Sequence, residues 1–287
     1  MKPINNHLGF GGAALTSMKS YKEVKQLLNV AFEQGIRHFD TAVLYGKGYS
    51  ELILGSFLKN KRADVTITSK FGLGQPVELG SMPVQLLLPL NYHLKRLKKA
   101  IGKAPLMNSE PVYKPVAYRI ITKKQIETSF NGSLSRLKTD YLDYYLIHEG
   151  LPRFLTDEAF EFLLGLKKQG RVRAIGIGSN VLDIKTLYPN EVKDWDVLQY
   201  EGHLPTETAE IMQKFPDKTH FHHSCLKNRD NIAFNDRTIG DKVGFMLAQA
   251  AHLNPHGKVI FSTRSEKHLL NNINSFITYP ETLFRVA

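Results

Sequence analysis

Strand-like and helix-like segments alternate along the 287 residues of the chain, and this alternation limits the fold more than any other feature. Residues 142–147 are almost continuously apolar, which is typical of a strand covered by helices on both faces. By contrast, Val24, Leu27, Leu28 and Ala31 recur at helical spacing and predict one apolar helix face. Strict alternation predicts parallel strands joined by right-handed crossovers. Eight such units predict an α/β fold, a closed (β/α)8 TIM barrel, and an open sheet with an extra helical lobe is the alternative.

Capping signals and turn residues bound the predicted elements. The predicted strands cover residues 8–15, 37–42, 65–69, 142–147, 174–178, 197–200, 219–222 and 258–261. Ser20 with Glu23, and Thr122 with Gln125, have the spacing of a capping box, in which two side chains satisfy free amides at a helix start. The last helix is predicted over residues 265–273.

Composition and targeting signals indicate the environment of the chain. Its one cysteine, Cys225, allows no intrachain disulfide, which suits a reducing compartment. No apolar run approaches the ~18 residues of a membrane-spanning helix, and the first residues show no signal-peptide core. We therefore expect a cytoplasmic protein without stable membrane association. Nothing in the composition divides residues 1–287 into two domains, so we predict a single barrel domain.

The net charge of +11 attracts anions in general, including nucleic acid, anionic lipid and phosphorylated ligands. Charge alone does not select among these partners. No motif of interleaved aromatic and basic residues accompanies it, so we expect no nucleic-acid partner.

Residues 71–121 form a long insertion after the third predicted strand. Pro89 is predicted at the first position of a helix, with Leu90, Leu94, Leu97 and Ile101 on one face and basic residues on the others. One interpretation is a helix that caps the barrel mouth. The other is a basic amphipathic helix that meets an anionic surface or a partner. Because the insertion follows a strand, we expect it at the carboxyl-terminal face of the barrel, where barrel active sites lie.

Four polar side chains stand at or just beyond the ends of three neighbouring predicted strands. Asp40 lies among the last residues of the second strand and Tyr45 in the loop after it. The third strand ends at Lys70 and the fourth at His148. Because the carboxyl ends of barrel strands meet on one face, we expect these side chains to lie together.

The chemistry of this set is that of a proton-donating site. A lysine cation favours the phenolate of a neighbouring tyrosine and lowers the phenol pKa, and an aspartate holds the ammonium in place. A neutral histidine can orient a carbonyl oxygen. Together these groups would polarise a C=O bond and give a proton to its oxygen. None of them supplies a hydride, so a reduced nicotinamide or flavin is implied.

The segments around these residues resemble those of the aldo-keto reductase superfamily. Residues 39–51 are similar to the family signature, 67–70 to its lysine strand and 141–148 to its histidine strand. The resemblance extends over roughly residues 8–272, interrupted by the insertion. It implies the (β/α)8 barrel and a catalytic tetrad of Asp40, Tyr45, Lys70 and His148. The implied activity is NADP(H)-dependent reduction of an aldehyde or ketone, or the reverse oxidation of an alcohol, with NAD(H) as the alternative cofactor.

The same resemblance assigns residues to the nicotinamide end of the cofactor. Ser179, Asn180 and Gln199 correspond to contacts with the nicotinamide carboxamide. Gly12 would let the ring approach the first strand closely. The segment after strand seven departs from the family, because a histidine stands where a stacking tyrosine is usual; its implied cofactor contacts are His223, Ser224 and Leu226.

Residues after the eighth strand are assigned to the phosphate and adenine end. A helix N-terminus with hydroxyls and an arginine suits a phosphate. The arginine favours NADP(H). The assigned residues are Ser262, Thr263, Arg264, His268, Asn271 and Asn272.

Other functions stay open at this point. One is a non-catalytic nucleotide-binding regulatory protein on the same barrel, which the altered strand-seven segment would allow. Another is a metal-dependent hydrolase using His220, His222 and His223, although strand alternation places the last two on opposite faces and we predict no metal site. We expect a small-molecule carbonyl or alcohol substrate and a monomer or weak oligomer. Sugar-type dehydrogenases with long insertions after strand three are neighbouring candidates.

Overall fold

A closed barrel of eight parallel strands forms the centre of the molecule. The structure is a computed structural model that describes residues 7–73, 82–100, 119–227 and 239–279. Each strand pairs with the next in sequence, and the eighth pairs with the first. This confirms the (β/α)8 barrel. The strands are β1 Leu8–Gly11, β2 His38–Asp40, β3 Thr66–Phe71, β4 Leu142–His148, β5 Val172–Gly178, β6 Val197–Glu201, β7 Thr219–His223 and β8 Lys258–Phe261.

Helices follow the strands and surround the barrel. Short 3₁₀ turns at Gly12–Ser17, Arg62–Asp64 and Pro152–Phe154 complete the described elements. The helices are α1 Tyr21–Glu33, α2 Tyr49–Phe57, α3 Val84–Ala100, α4 Lys123–Leu137, α5 Asp157–Lys168, α6 Val181–Thr186, α7 Pro189–Val192, α8 Pro205–Lys214, α9 Ile239–Leu253 and α10 Glu266–Thr278.

Helix starts follow the capping signals of the sequence. The Ser20 hydroxyl caps the N-terminus of α1 by accepting a hydrogen bond from the Glu23 amide at 3.3 Å. At the N-terminus of α4, the Gln125 side chain accepts a hydrogen bond from the Thr122 amide at 2.9 Å. Each contact satisfies an amide that has no partner within the helix. The main core, buried between the strands and these helices, is made of residues such as Leu28, Ile67 and Phe130. This core holds the strand ends, and therefore the site, in a fixed position.

The first strand and the last helix differ from the predicted bounds. The chain leaves the sheet after Gly11, because Gly12 packs beneath α2; a Cβ at Gly12 would lie 2.7 Å from the Ser50 hydroxyl. The last helix continues past residue 273 to Thr278, because Phe276 extends its buried face.

The helix within the insertion also differs from the prediction. It begins at Val84, so Pro89 lies inside it rather than at its first position. Instead, the Pro83 carbonyl accepts hydrogen bonds from the Leu86 and Leu87 amides at the helix start. Leu88 is its fully buried apolar side chain, whereas Leu90 of the predicted apolar face is exposed. Ile101 and the rest of the insertion within 74–81 and 101–118 lie outside the described residues. Among the described helices, none has the length and hydropathy of a membrane span.

Candidate active site

The ends of β2, β3 and β4 bring the four predicted catalytic side chains together. The side chains of Asp40 and Lys70 lie inside the barrel mouth. The Lys70 Nζ is 2.6 and 2.8 Å from the two Asp40 carboxylate oxygens. Tyr45 stands on the turn after β2, and its hydroxyl lies 3.5 Å from the same Nζ. The rings of Tyr45 and His148 meet edge to face, with centroids 5.7 Å apart. One ammonium therefore links a carboxylate to a phenol beside an imidazole.

The protonation of this group is governed by burial as well as by charge. Burial alone would lower the pKa of Lys70, but Asp40 and Tyr45 outweigh it and hold that pKa above its usual value. Burial raises the pKa of Tyr45, and Lys70 opposes the rise without cancelling it. At neutral pH the site therefore holds a protonated phenol beside an ammonium. The sequence-based expectation of a lowered Tyr45 pKa was wrong in net direction, because it did not include burial.

His148 is neutral over the physiological range. Burial, followed by the charges of Lys70 and His223, lowers the pKa of His148 to about 3. Its Nδ1 atom is buried and has no hydrogen-bond partner among the described residues. A neutral imidazole can donate one hydrogen bond from the nitrogen that carries its proton.

A cavity of about 400 Å³ opens above these four residues. Its walls come from the ends of strands β1 and β4 to β8 and from the loops that follow them. Five of the residues predicted to bind a cofactor line it: Gln199, His223, Ser224, Leu226 and Ser262. The cavity also has lining residues that the sequence did not suggest, among them Gly11, Gly178 and Cys225.

Gln199 connects the tetrad to this cavity. Its amide nitrogen donates to the Asp40 carboxylate at 2.8 Å. Its carbonyl oxygen is buried and has no hydrogen-bond partner among the described residues. A buried acceptor without a donor costs free energy, so this oxygen suits a ligand with an N–H group. The carboxamide of a nicotinamide has such a group.

The structure does not bring Gly12, Ser179 and Asn180 to the cavity wall. The Ser179 hydroxyl donates to the Asp183 carboxylate at 3.3 Å, and the Asn180 side chain caps α6 by accepting from the Asp183 amide at 3.0 Å. Gly178, one residue earlier, lines the cavity in their place. Helix capping by Asn180 and the contact of Ser179 with Asp183 are the competing roles that the sequence motif did not reveal.

The residues predicted for phosphate and adenine lie between β8 and the second turn of α10. Ser262 donates to the Gly11 carbonyl at 2.9 Å, and Thr263 accepts from the Ser265 amide at 3.2 Å. Ser265 caps the helix. Asn272 is half-buried, whereas the side chains of Arg264, His268 and Asn271 are exposed. A cation beside a helix N-terminus is suited to an anion, although these residues stand outside the cavity wall.

Glu149 is a cavity residue that the sequence analysis did not identify. It directly follows His148, has a left-handed backbone with φ of 50°, and its amide donates to the Gly178 carbonyl at 2.7 Å. No described residue forms a hydrogen bond or ion pair with its carboxylate. Burial, Glu201 and Asp183 raise the pKa of Glu149. Its position one residue past a catalytic strand end was the signal that could have identified it.

The histidines considered as metal ligands have other partners. His220 contacts the Tyr200 hydroxyl at 2.9 Å and the Phe215 carbonyl at 3.0 Å, and His222 contacts the same hydroxyl at 3.2 Å. His223 faces the cavity instead. Across the described parts of the chain, no group of three or more His, Cys, Asp or Glu side chains is placed to hold a metal ion.

Comparisons with known proteins agree with this architecture. The model of the aldo/keto reductase family matches residues 7–215. The chain is similar to D-threo-aldose 1-dehydrogenase from a Pseudomonas species, with 29% identity over 233 residues, which is 78% of this chain and 63% of that protein. The alignments with this and another curated relative span about half to two thirds of the relatives' length.

Two solved structures show the same fold. The holo form of aldo-keto reductase AKR11C1 from Bacillus halodurans superposes with a TM-score of 0.66 at 20% identity, covering 96% of this chain and 87% of that one. An aldo-keto reductase from Klebsiella pneumoniae in complex with NADPH superposes with a TM-score of 0.59 at 16% identity, covering 96% and 88%. With the family model matching most of its length, the chain belongs to the aldo/keto reductase family.

Proposed function

We propose that this protein is an NAD(P)(H)-dependent oxidoreductase that reduces an aldehyde or ketone to an alcohol, or catalyses the reverse reaction, with Tyr45 as the proton donor. The observation that carries the proposal is the convergence of Tyr45, Lys70, Asp40 and His148 at the base of one cavity. Family membership supports the reaction class.

Each side chain has a distinct part in the chemistry. The substrate carbonyl oxygen accepts hydrogen bonds from the Tyr45 hydroxyl and from the neutral imidazole of His148, which fix its orientation and polarise the C=O bond. Tyr45 then gives its proton to that oxygen as the alkoxide develops. The Lys70 ammonium stabilises the resulting phenolate, and Asp40 holds the ammonium at 2.6 Å. In the oxidation direction the phenolate takes the proton back.

The residues present suit a nicotinamide cofactor. When bound, such a cofactor supplies the hydride that reaches the carbonyl carbon. The unpaired Gln199 carbonyl oxygen would hold the carboxamide, and the His223 ring lies on the cavity wall where it can stack on the nicotinamide. Arg264, beside the N-terminus of α10, would face a phosphate. The NADPH named for the Klebsiella relative and the arginine support NADP(H) over NAD(H).

The cavity also supports a substrate class. Glu149 presents an unpaired, partly buried carboxylate to the cavity, close enough to Tyr45 for its charge to raise the Tyr45 pKa. A carboxylate accepts hydrogen bonds, and hydroxyl groups next to a carbonyl are donors that it would select. The strained φ of this non-glycine residue is typical of a functional position. We infer that hydroxylated aldehydes of the sugar type are preferred, in keeping with the relative named D-threo-aldose 1-dehydrogenase.

A cofactor titration followed by a substrate panel tests the proposal. Fluorescence titration of the full chain should show tighter binding of NADPH than of NADH. Turnover of aldehydes, ketones and aldoses is then followed by the loss of NADPH absorbance. Reduction of at least one hydroxylated aldehyde is expected. Tight NADPH binding without turnover across the panel, in either direction, would contradict the enzyme and favour the regulatory alternative.

A further inference from the structure

Helix α3, Val84–Ala100, exposes a row of leucines to solvent. Leu86, Leu90, Leu94 and Leu97 follow each other at helical spacing and are 62%, 45%, 48% and 62% exposed. Leu88, two residues along and therefore on the opposite face, is fully buried. A single exposed leucine is ordinary, but four on one face form a patch that marks an interaction surface. We call these four residues the leucine face.

The way in which α3 is attached leaves this face directed away from the barrel. The helix lies against α1, α2 and the turn Gly12–Ser17. The segment that leads into it is anchored by the Tyr49 hydroxyl, which donates to the Met82 carbonyl at 2.9 Å. The body of the protein is therefore on the Leu88 side.

The charge of α3 indicates which kind of partner surface the leucine face suits. Its last two turns carry Lys95, Arg96, Lys98 and Lys99, and no acidic residue occurs in the sequence from 84 to 109. The whole chain has a net charge of +11. Leucines on one face with lysine and arginine elsewhere, and no acidic residue, are the pattern of a helix that lies in the interface of an anionic bilayer.

We propose that α3 binds an anionic lipid surface, with the leucine face in the acyl boundary and with Arg96 and Lys98, whose helical positions flank that face, nearest the headgroups. The contact is peripheral and reversible, because one amphipathic helix and a few basic residues give only moderate affinity. It is independent of the catalytic site, whose residues lie in the barrel mouth.

Vesicle co-sedimentation of the full chain tests the proposal. Binding is expected to vesicles of phosphatidylserine in phosphatidylcholine, and it should weaken at raised ionic strength and be nearly absent with phosphatidylcholine alone. Leu90→Gln combined with Leu94→Gln should reduce partitioning by at least about tenfold. The matched control is Leu182→Gln combined with Leu253→Gln, since these leucines are also exposed but lie on α6 and α9. It should bind as the original chain does.

A second pair of variants distinguishes the contribution of the basic residues on α3 to vesicle binding from that of the net charge of the protein. Arg96→Gln combined with Lys98→Gln should weaken binding by about fivefold for each charge removed. Lys124→Gln combined with Lys168→Gln removes the same net charge from exposed positions on α4 and α5, and should have a much smaller effect. Equal loss in both pairs would contradict a site on α3.

A spectroscopic variant tests the leucine face directly. The single tryptophan, Trp195, is buried, so Leu94→Trp adds an indole whose emission can be distinguished. We expect a blue shift of the added emission only with phosphatidylserine vesicles. Failure of the full chain to bind these vesicles, or an unshifted emission on binding, would overturn the proposal. So would a dimer in sedimentation equilibrium that the Leu90 and Leu94 substitutions abolish, because a second copy of the chain would then cover the face.

Discussion

At the scale of single residues, the site depends on an ammonium that is buried but fully paired. Lys70 donates to both oxygens of Asp40 and to the Thr41 carbonyl at 3.0 Å, and the phenol of Tyr45 is its remaining neighbour. The Gln199 side-chain amide, on β6, also donates a hydrogen bond to one of the Asp40 carboxylate oxygens. A buried charge is tolerated only with such partners, and here their arrangement leaves one side of the ammonium beside the Tyr45 hydroxyl.

The pH dependence of catalysis follows from the pKa shifts of these residues. Because the pKa of His148 is lowered and that of Tyr45 is raised, both keep one protonation state around neutral pH. Reduction of an aldehyde without hydroxyl groups, such as propanal, needs only the protonated phenol, so its rate should be flat from about pH 5 to 8 and fall only at high pH. Alcohol oxidation needs the phenolate and should rise with pH.

Lys70→Met tests the coupling of the ammonium to the phenol. Loss of the cation raises the Tyr45 pKa further, so the rise of alcohol oxidation should move to higher pH. The measurement is kcat for oxidation against pH, with Lys47→Met, an exposed cation on the same turn as Tyr45, as the control. An unmoved profile in Lys70→Met would show that Lys70 does not act on Tyr45.

Glu149→Gln tests the substrate class. The amide keeps the shape of the side chain but loses the charge that strengthens a hydrogen bond from a substrate hydroxyl. We expect kcat/KM for glyceraldehyde to fall about tenfold or more, and kcat/KM for propanal to change less than about twofold. Glu158→Gln, on the exposed face of α5, should alter neither. An equal loss for both aldehydes would mean that Glu149 supports the fold or the tetrad rather than hydroxyl recognition.

At the scale of elements, a buried polar contact joins α2, α4 and β3 behind the site. The Glu51 carboxylate accepts from Arg136 at 2.7 Å and from the Ser69 hydroxyl at 2.6 Å, next to Lys70 in the chain. Close approach of the two helices is possible because α2 has Gly55 at the crossing. A Cβ there would lie 2.8 Å from the Leu137 backbone.

A pair of glycine substitutions tests this helix contact. Gly55→Ala forces α2 and α4 apart and should lower the free energy of unfolding by about 1–3 kcal/mol. Gly165→Ala, inside α5, meets no atom within 4 Å and should raise it by up to about 1 kcal/mol through helix propensity. Denaturant unfolding of both variants is the measurement. Equal effects would show that a Cβ at position 55 does not clash with α4.

The element-scale predictions succeeded where a periodic pattern decided the structure and failed where competing contacts did. The strand 258–261 was predicted to the residue, and the caps at Ser20 and Thr122 begin the helices they were assigned to. The start of α3 was wrong because Pro89 suggested a first position, whereas Pro83 already precedes the helix. Leu90, Leu94 and Leu97 were predicted to share a face, but helical spacing does not identify whether such a face is covered, and the structure leaves these three leucines exposed.

At the scale of the whole molecule, closure of the barrel is what assembles the site. Asp40, Lys70 and His148 come from positions up to 108 residues apart, and only the parallel register of β2, β3 and β4 brings their ends to one mouth. This convergence followed from strand order alone, so it could be predicted. The capping of α6 by Asn180, the contact of Ser179 with Asp183 and the position of Glu149 on the cavity wall depend on side-chain surroundings that no strand pattern contains.

The central claim is that Tyr45 gives the proton, and Tyr45→Phe tests it most directly. The substitution removes one oxygen and leaves the cavity and the cofactor contacts in place. We predict that kcat for carbonyl reduction falls by about 10² or more while the Kd for NADPH changes less than about twofold, with Tyr188→Phe, an exposed tyrosine, as the control. Turnover by Tyr45→Phe at the rate of the unaltered protein would contradict the account.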